Sequence, residues 1–309
     1  MNFDLCIYHD PCIDGIASAW IVKNMSPGVQ IVKCVAGCDP EISIESLSQK
    51  SVVFVDICPS ESFLQQAVQV VQRILIIDHH ISAYEMYSQF DNKGGRVTFV
   101  FDEHRSGCQL TWRYFCENEP VPWFLNYIAD RDLWTNVMPN SREINQALYD
   151  GKHIRSFEAL DELFALNDDQ IATLKSHLLQ QGRVLVHNRD ELIRQSAKSA
   201  VECVYKHEDR QYRVWVYTCP RHILSEVGHR LTKWRFVDGH YPDFVVFWQY
   251  VMEDHYFGLS FRSSPQGTDV HLIARQLSPK GGGHRRAAGC SLPGGTELRA
   301  LFTPVERGS

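Results

Sequence analysis

The sequence predicts an α/β fold in which a parallel-sheet domain is joined by a long helix to a smaller domain with a mixed sheet. Short apolar segments alternate with amphipathic ones over about the first 100 residues, a pattern typical of a parallel sheet. A polar segment follows at residues 168–199, with Gly182 as its one helix breaker. A second β-rich region then occupies residues 200–309. We therefore expect domains at 1–167 and 200–309, linked by a helix.

The first domain is expected to contain five strands and five helices. The strands are predicted at 3–9, 29–35, 51–55, 74–77 and 97–101. The helices are predicted at 16–23, 60–71, 106–116, 123–129 and 141–166, with Ser60 as a possible N-cap. The segment at 74–77 is wholly apolar, which indicates a strand that is buried on both faces.

The second domain is expected to contain strands at 201–205, 212–217, 244–251 and 256–261, with a helix near 221–234. Asp168 or Asp169 is predicted to begin the long connecting helix.

Composition limits the classes of function. A net charge of −6 over 309 residues argues against binding to long duplex DNA. Ten cysteines without a CxxC pair indicate reduced thiols and a cytoplasmic location. We find no signal peptide and no apolar run of about 18 residues, so no membrane span is expected.

Acidic and histidine side chains follow the predicted strands at the points where they end. The carboxyl ends of parallel strands are where ligands bind. Carboxylates that close together repel each other, and a divalent cation relieves that repulsion. The residues concerned are His9, Asp14, Asp56, Asp78, His79, His80 and, at a helix end, Asp130. Mixed carboxylate and imidazole ligands suit Mn²⁺ or Mg²⁺, and two such ions are a common arrangement for attack on phosphorus.

The order of these motifs resembles that of the DHH/DHHA1 phosphoesterase superfamily, and in particular its oligoribonuclease-like (nanoRNase-like) members. The resemblance rests on residues 8–15, 55–56, 78–80 and 129–132, and on a glycine-rich tail at 281–284. It spans nearly the whole chain and implies a DHH domain followed by a DHHA1 domain.

The resemblance also implies roles for these residues. One metal ion would be held by His9 and Asp56. The second would be held by Asp14, Asp56, His79 and Asp130, with Asp56 bridging the two ions. His80 would face the substrate phosphate as hydrogen-bond donor or general acid, and Asp78 would orient the histidine pair.

One motif departs from the family pattern. Cys12 stands where the family has its first aspartate, and the loop is one residue shorter. Cys12 could ligate the first metal as a thiolate, Asp10 could take its place, or that metal could bind weakly. A second ambiguity concerns Asp130 and Asp132, between which the resemblance favours Asp130.

In the tail, three glycines allow the backbone to approach a phosphate closely. Gly281, Gly282, Gly283, His284 and Arg285 are predicted to form a substrate-binding loop that enters a helix. Arg262, after a predicted strand, resembles the other basic position of such domains, and arginine suits phosphate recognition.

We therefore expect a metal-dependent phosphodiesterase that converts short oligonucleotides or small nucleotides, including cyclic ones, to mononucleotides. The alternatives are an exopolyphosphatase or other phosphoanhydride hydrolase, and a nucleotide-binding sensor without activity. We expect a monomer or a homodimer.

Overall fold

The computed structural model describes residues 2–92, 94–151 and 153–306. The chain divides into two compact units, Met1–His187 and Asn188–Ser309. Each unit has its own β-sheet. The division falls inside the long helix that the sequence predicts.

The sheet of the first unit is entirely parallel. Its strands are β1 (Leu5–His9), β2 (Gln30–Cys34), β3 (Ser51–Val55), β4 (Arg73–Asp78) and β5 (Val97–Phe101). They lie in the order β2-β1-β3-β4-β5, so the chain leaves β1 in one direction to form β2 and in the other to form β3. The crevice at the carboxyl ends of β1 and β3 is the place where such sheets bind ligands.

Among the described residues, eight helices accompany this sheet, and the last of them continues past the division between the units. They are α1 (Ile13–Met25), α2 (Glu61–Val70), α3 (Ile81–Gln89), α4 (Gly107–Phe115), α5 (Trp123–Asp132), α6 (Ser141–Asp150), α7 (Phe157–Phe164) and α8 (Asp168–Ala197). The Ser60 hydroxyl accepts a hydrogen bond from the Phe63 N–H, as expected of the N-cap of α2. Two expectations need correction: helix α3 was not predicted, and the region 141–166 is two helices, because α6 ends at Gly151.

Both faces of the parallel sheet are covered. On one face Ile7, Phe54 and Ile76 are buried in a core with residues of α2. On the other face Val55 and Ile77 are buried with residues of α1 and α4. This two-sided burial explains why the strands read as continuous apolar runs.

The second unit contains a seven-stranded mixed sheet. Its strands are β6 (Val201–His207), β7 (Arg210–Tyr217), β8 (Phe244–Val251), β9 (Tyr256–Arg262), β10 (Gly282–His284), β11 (Ala287–Pro293) and β12 (Phe302–Pro304), with helices α9 (Leu224–Leu231), α10 (Val270–Leu277) and α11 (Leu298–Leu301). The order is β10-β11-β9-β8-β7-β6-β12, and β7 and β8 pair in parallel whereas the other neighbours are antiparallel. The predicted fold class is confirmed. Among the described residues, no helix combines the length and the apolar character needed to cross a membrane.

Candidate metal centre

Three neighbouring strands of the first unit present polar side chains at the same edge of the sheet. The residues are His9 at the end of β1, Asp56 just after β3, and Asp78, His79 and His80 at the end of β4. Asp56 has a φ of 58°, in the left-handed region that residues other than glycine seldom adopt. A carboxylate at a strained backbone position is a sign that its side chain serves a function.

His79 lies among three carboxylates. Its Nε2 is 3.2 Å from Oδ1 of Asp56, 3.6 Å from Oδ2 of Asp132 and 3.9 Å from Oδ2 of Asp14. The other carboxylate oxygen of Asp56 is 3.2 Å from Nδ1 of His9. Asp56 thus lies between the two histidines, with one carboxylate oxygen near each ring.

The structure brings Cys12, rather than Asp10, into this cluster. The group contains His9, Cys12 and Asp56. Each residue offers one ligand atom, and these three atoms all lie within 4.8 Å of one another. Asp10 has other partners, because its carboxylate accepts a 3.4 Å hydrogen bond from the Tyr8 hydroxyl and lies 3.6 Å from the Lys33 ammonium. The sequence leaves three options open for the first metal: ligation by Cys12, ligation by Asp10, or weak binding. The geometry is compatible with ligation by Cys12.

The structure places Asp132, rather than the predicted Asp130, in the cluster around His79. Ligand atoms of Asp14, His79 and Asp132 lie within 4.8 Å of one another. The carboxylate of Asp130 instead accepts hydrogen bonds from the loop after α5. The donors are Thr135 Oγ1 (2.6 Å), the N–H groups of Val137 (2.7 Å) and Met138 (3.4 Å), and Ser141 Oγ. Residues two apart in a helix project about 200° apart, so α5 can direct only one of the two toward the sheet.

Helix α4 begins directly against Asp14, which is buried. The N–H groups of Gly107 and Cys108 donate to the two oxygens of this carboxylate, at 2.6 and 3.0 Å. A Cβ at position 107 would lie 2.8 Å from Cβ of Asp56 and 3.0 Å from Oδ2 of Asp14, so only glycine fits. Gly107 is not among the site residues that the sequence motifs predict. In the sequence it is marked only as a glycine next to Ser106, at the start of a predicted helix.

The crowding of these groups perturbs their pKa values. Burial, followed by the charges of Asp56 and Asp132, raises the pKa of Asp14 to about 7. Burial also raises the pKa of Asp132. Burial acts to raise the pKa of Asp56, but hydrogen bonds from His79 and His9 outweigh this effect and lower the pKa. Burial acts to lower the pKa of His79, yet the hydrogen bond to Asp56 and the surrounding carboxylates raise it to about 10. The metal-free cluster therefore holds protons that a divalent cation would replace.

Asp78 and His80 form a hydrogen-bonded pair at the margin of the cluster, within 4.8 Å of ligand atoms of Asp56 and His79. Oδ1 of Asp78 accepts hydrogen bonds from the N–H groups of His79 (2.7 Å) and His80 (3.2 Å), and Nδ1 of His80 lies 2.7 Å from the same oxygen. The side chain of His80 is 28% exposed, whereas that of His79 is 2% exposed. His80 is thus the accessible histidine of the motif, and Asp78 fixes its orientation.

The donor set fits a divalent cation. Carboxylates suit hard ions such as Mg²⁺ and Mn²⁺, and imidazoles suit transition-metal ions. The residues that could hold such an ion include His9, Cys12, Asp14, Asp56, His79 and Asp132. The Cys12 thiol adds a softer ligand, and burial together with Asp56 and Asp132 raises its pKa well above the ordinary value.

In the second unit the glycine-rich tail is a β-hairpin and not the predicted loop entering a helix. β10 contains Gly282, Gly283 and His284 and pairs with β11 through the turn at Arg285. Gly283 has a φ of 133°, and a Cβ there would lie 2.6 Å from the Ala287 carbonyl oxygen. The glycines are needed because strands β10 and β11 approach closely. Gly281 likewise packs against the Ala274 carbonyl of α10.

Arg262 ends β9, the strand next to this hairpin. Its guanidinium donates to the Ser225 hydroxyl and to the Phe261 carbonyl, each at 2.8 Å. Burial lowers the pKa of Arg262, and Tyr217 and Glu226 act against that shift. Arg285 is exposed and lies 3.9 Å from the carboxylate of Asp269, the N-cap of α10.

No family model matches this chain. An uncharacterised protein of Acanthamoeba polyphaga mimivirus is 26% identical over 308 residues, which cover 94% of this chain and 68% of the viral protein. Among solved structures, RecJ from Thermus thermophilus, crystallised in complex with Mn²⁺, is similar over 96% of this chain and 50% of its own, with a TM-score of 0.50 and 13% identity. An exopolyphosphatase-related protein from Bacteroides fragilis aligns over 96% of this chain and 88% of its own, with a TM-score of 0.47 and 14% identity.

The likeness to RecJ extends over both units. The parallel sheet with its DHH sequence at the end of β4, and the mixed sheet with its glycine-rich hairpin, occur in the order that the sequence motifs predict. The chain therefore shares the fold of RecJ from Thermus thermophilus.

Proposed function

We propose that this protein is a divalent-metal-dependent phosphodiesterase that hydrolyses short oligonucleotides or small nucleotides, cyclic ones included, to mononucleotides. The observation that carries the proposal is the buried cluster in which His79 lies within 4 Å of three carboxylates. Carboxylates this close together repel each other, and two divalent ions would balance their charges. RecJ, which shares the fold, was crystallised with Mn²⁺, and this supports Mn²⁺ as one of the ions to test.

Each proposed ion has its own set of residues. One ion would be held by His9, Cys12 and Asp56, and the other by Asp14, Asp56, His79 and Asp132. When bound, the ions supply Lewis acidity toward the phosphoryl oxygens and toward the attacking water. The α4 N–H groups that bind Asp14 keep this carboxylate in place before metal arrives.

His80 would contact the phosphate directly. Its partly exposed side chain is held by Asp78, so one ring nitrogen is committed to a carboxylate and the ring plane is fixed. Burial acts to lower the pKa of His80, but Asp78 outweighs it and raises the pKa. The histidine is thus available as hydrogen-bond donor or general acid toward a phosphate oxygen.

We further propose that the second unit binds substrate phosphate. The residues concerned are Arg262, Gly281, Gly282, Gly283, His284 and Arg285. Two features support this proposal. A hydrogen bond to Ser225 holds the Arg262 guanidinium in place, and the glycines leave the hairpin backbone accessible. The ten free cysteines fit a reducing compartment, which supports a cytoplasmic location.

The proposal is tested by assaying the full chain against three phosphate compounds with Mn²⁺ or Mg²⁺. The compounds are a linear dinucleotide, a cyclic dinucleotide and inorganic polyphosphate. We expect turnover of a dinucleotide and loss of that turnover with EDTA. Turnover of polyphosphate alone would favour a phosphoanhydride hydrolase. Binding of all compounds without turnover would favour a sensor.

A further inference from the structure

Four aromatic rings form a stacked row along the β5 edge of the first unit. Tyr84 stacks on Phe101 with ring centroids 4.7 Å apart, Phe101 lies 6.0 Å from Phe99, and Phe99 lies 4.6 Å from Tyr87. The interplanar angles are 26°, 13° and 27°. We call this set the aromatic row. Its rings are close to parallel, so its outer end presents a flat face.

The two ends of the aromatic row have different surroundings. Phe99 and Tyr87 pack against the core beneath the sheet, and the Tyr87 hydroxyl donates to the Val97 carbonyl at 3.3 Å. Tyr84 is 49% exposed, and neither Tyr84 nor Phe101 belongs to a hydrophobic core formed by the described residues. The inner rings are therefore anchored, and the outer pair is offered to a ligand.

Two independent features place the outer pair beside the accessible histidine of the candidate site. Tyr84 lies in the first turn of α3, directly after His80, which is the N-cap of this helix, and the Tyr84 N–H donates to the His80 carbonyl at 3.2 Å. Phe101 is the register partner of Asp78, the residue that orients His80. Paired residues of adjacent strands point to the same face of a sheet.

A flat, partly exposed aromatic pair next to a phosphate-facing histidine suits one class of ligand. A nucleobase can stack on such rings whatever its identity, because every base has a π-face. An inorganic polyphosphate chain offers nothing to an aromatic ring. We propose that the Tyr84–Phe101 pair is a base-stacking subsite for the nucleoside attached to the scissile phosphate. The inference rests on the proposed function and makes nucleotides the favoured substrate class.

The test compares Tyr84→Ala and Tyr84→Phe with wild type on an adenine dinucleotide and on the matching abasic dinucleotide. Stacking of one base on an aromatic side chain is worth a factor of about 5 to 150 in affinity. We expect Tyr84→Ala to lower by that factor the ratio of kcat/KM for the adenine substrate to kcat/KM for the abasic one. Tyr84→Phe should keep the ratio, because the ring remains.

Phe164→Ala provides a matched control, because this ring is 55% exposed and contacts Trp20 and Trp112 instead. A second readout separates this inference from the proposed function. Binding of a 2-aminopurine dinucleotide in EDTA should quench its fluorescence in wild type and much less in Tyr84→Ala, whether or not the protein hydrolyses it. An unchanged substrate ratio, or equal quenching in both proteins, would overturn the stacking role.

Discussion

The two units place their ionisable side chains in opposite electrostatic situations. In the first unit, His9, Asp14, Asp56 and His79 converge at the carboxyl ends of the parallel strands, and the pKa values of Asp14, Asp56 and His79 are shifted from their ordinary values. In the second unit, Arg262 has a hydroxyl and a carbonyl partner within its own unit. The comparison indicates that the first unit has side chains suited to binding cations. The second unit has hydrogen-bond donors whose orientation is already fixed. We therefore expect changes in the first unit to lower kcat and changes in the second to raise KM.

The largest expected effect comes from removing the residue at the centre of the cluster. His79→Ala should lower kcat at least about a thousandfold, because a lost metal ligand removes several kcal/mol of transition-state stabilisation. Steady-state rates with Mn²⁺ measure it, and circular dichroism checks the fold. His177→Ala, on the exposed surface of α8, is the control. Turnover above about one hundredth of wild type would refute the two-metal proposal.

The second prediction separates two aspartates that are two positions apart in sequence but differ in surroundings. Asp132→Asn should lower kcat by about a hundredfold while leaving the free energy of unfolding of the metal-free protein unchanged or higher, because burial disfavours the charged form of its carboxyl group. Asp130→Asn should instead cost about 1–3 kcal/mol of unfolding free energy, because its donors lose their carboxylate acceptor. Kinetics and urea unfolding of both variants check the split. The reverse pattern would restore Asp130 as the metal ligand.

The contribution of Asp130 to the free energy of unfolding should depend on pH. Burial acts to raise its pKa, but hydrogen bonds from Ser141, Thr135 and Val137 lower it. A carboxyl with a lowered folded-state pKa stabilises the protein above its unfolded pKa of about 3.9, and that stabilisation is lost as pH falls through the folded value. The stability difference between wild type and Asp130→Asn should therefore shrink below about pH 4. A constant difference down to pH 2 would show that the carboxylate charge is not responsible.

A smaller effect is expected from the second unit. Arg262→Gln should raise KM about tenfold to a hundredfold, the worth of one charge-assisted hydrogen bond, with little change in kcat. Ser225→Ala keeps the guanidinium but removes its hydroxyl partner, and should raise KM by less. Michaelis parameters for a dinucleotide measure both. A loss confined to kcat would contradict the division of roles between the units.

The smallest effect is expected at Cys12. Cys12→Ser should weaken Cd²⁺ binding about tenfold and Mn²⁺ binding much less, because a thiolate prefers soft ions. Calorimetric titration of each ion into the metal-free protein measures the two affinities. Cys12→Asp should shift the preference further toward Mn²⁺. Equal affinities in wild type and both variants would show that Cys12 is not a ligand.

The sequence predicted most of the fold and part of the site. Segments such as 51–55 and 97–101 were predicted with the observed bounds, because both are rich in the β-branched and aromatic residues that favour strands. The convergence of His9, Asp56 and His79 followed from the rule that strand ends meet at one edge. Those predictions needed only local composition and sheet topology.

The missing parts depend on tertiary contacts. The choice between Asp130 and Asp132 is decided by the rotation of α5 relative to the sheet, which two equivalent carboxylates do not reveal. The role of Gly107 depends on a contact with Asp14 across more than 90 positions. The hairpin at Gly283 looked like a loop because three glycines have no strand propensity of their own.

The contact between Asp14 and the start of α4 also bears on how the protein is made. A growing chain presents His9 and Asp14 first, but Asp14 lacks its amide donors until residues 107 and 108 have been synthesised. The group around His79 is complete only when Asp132 follows. A nascent chain, or a fragment cut by a protease before Asp132, therefore cannot assemble the full set of proposed ligands. Metal loading of this unit would report that its first 132 residues are intact and folded.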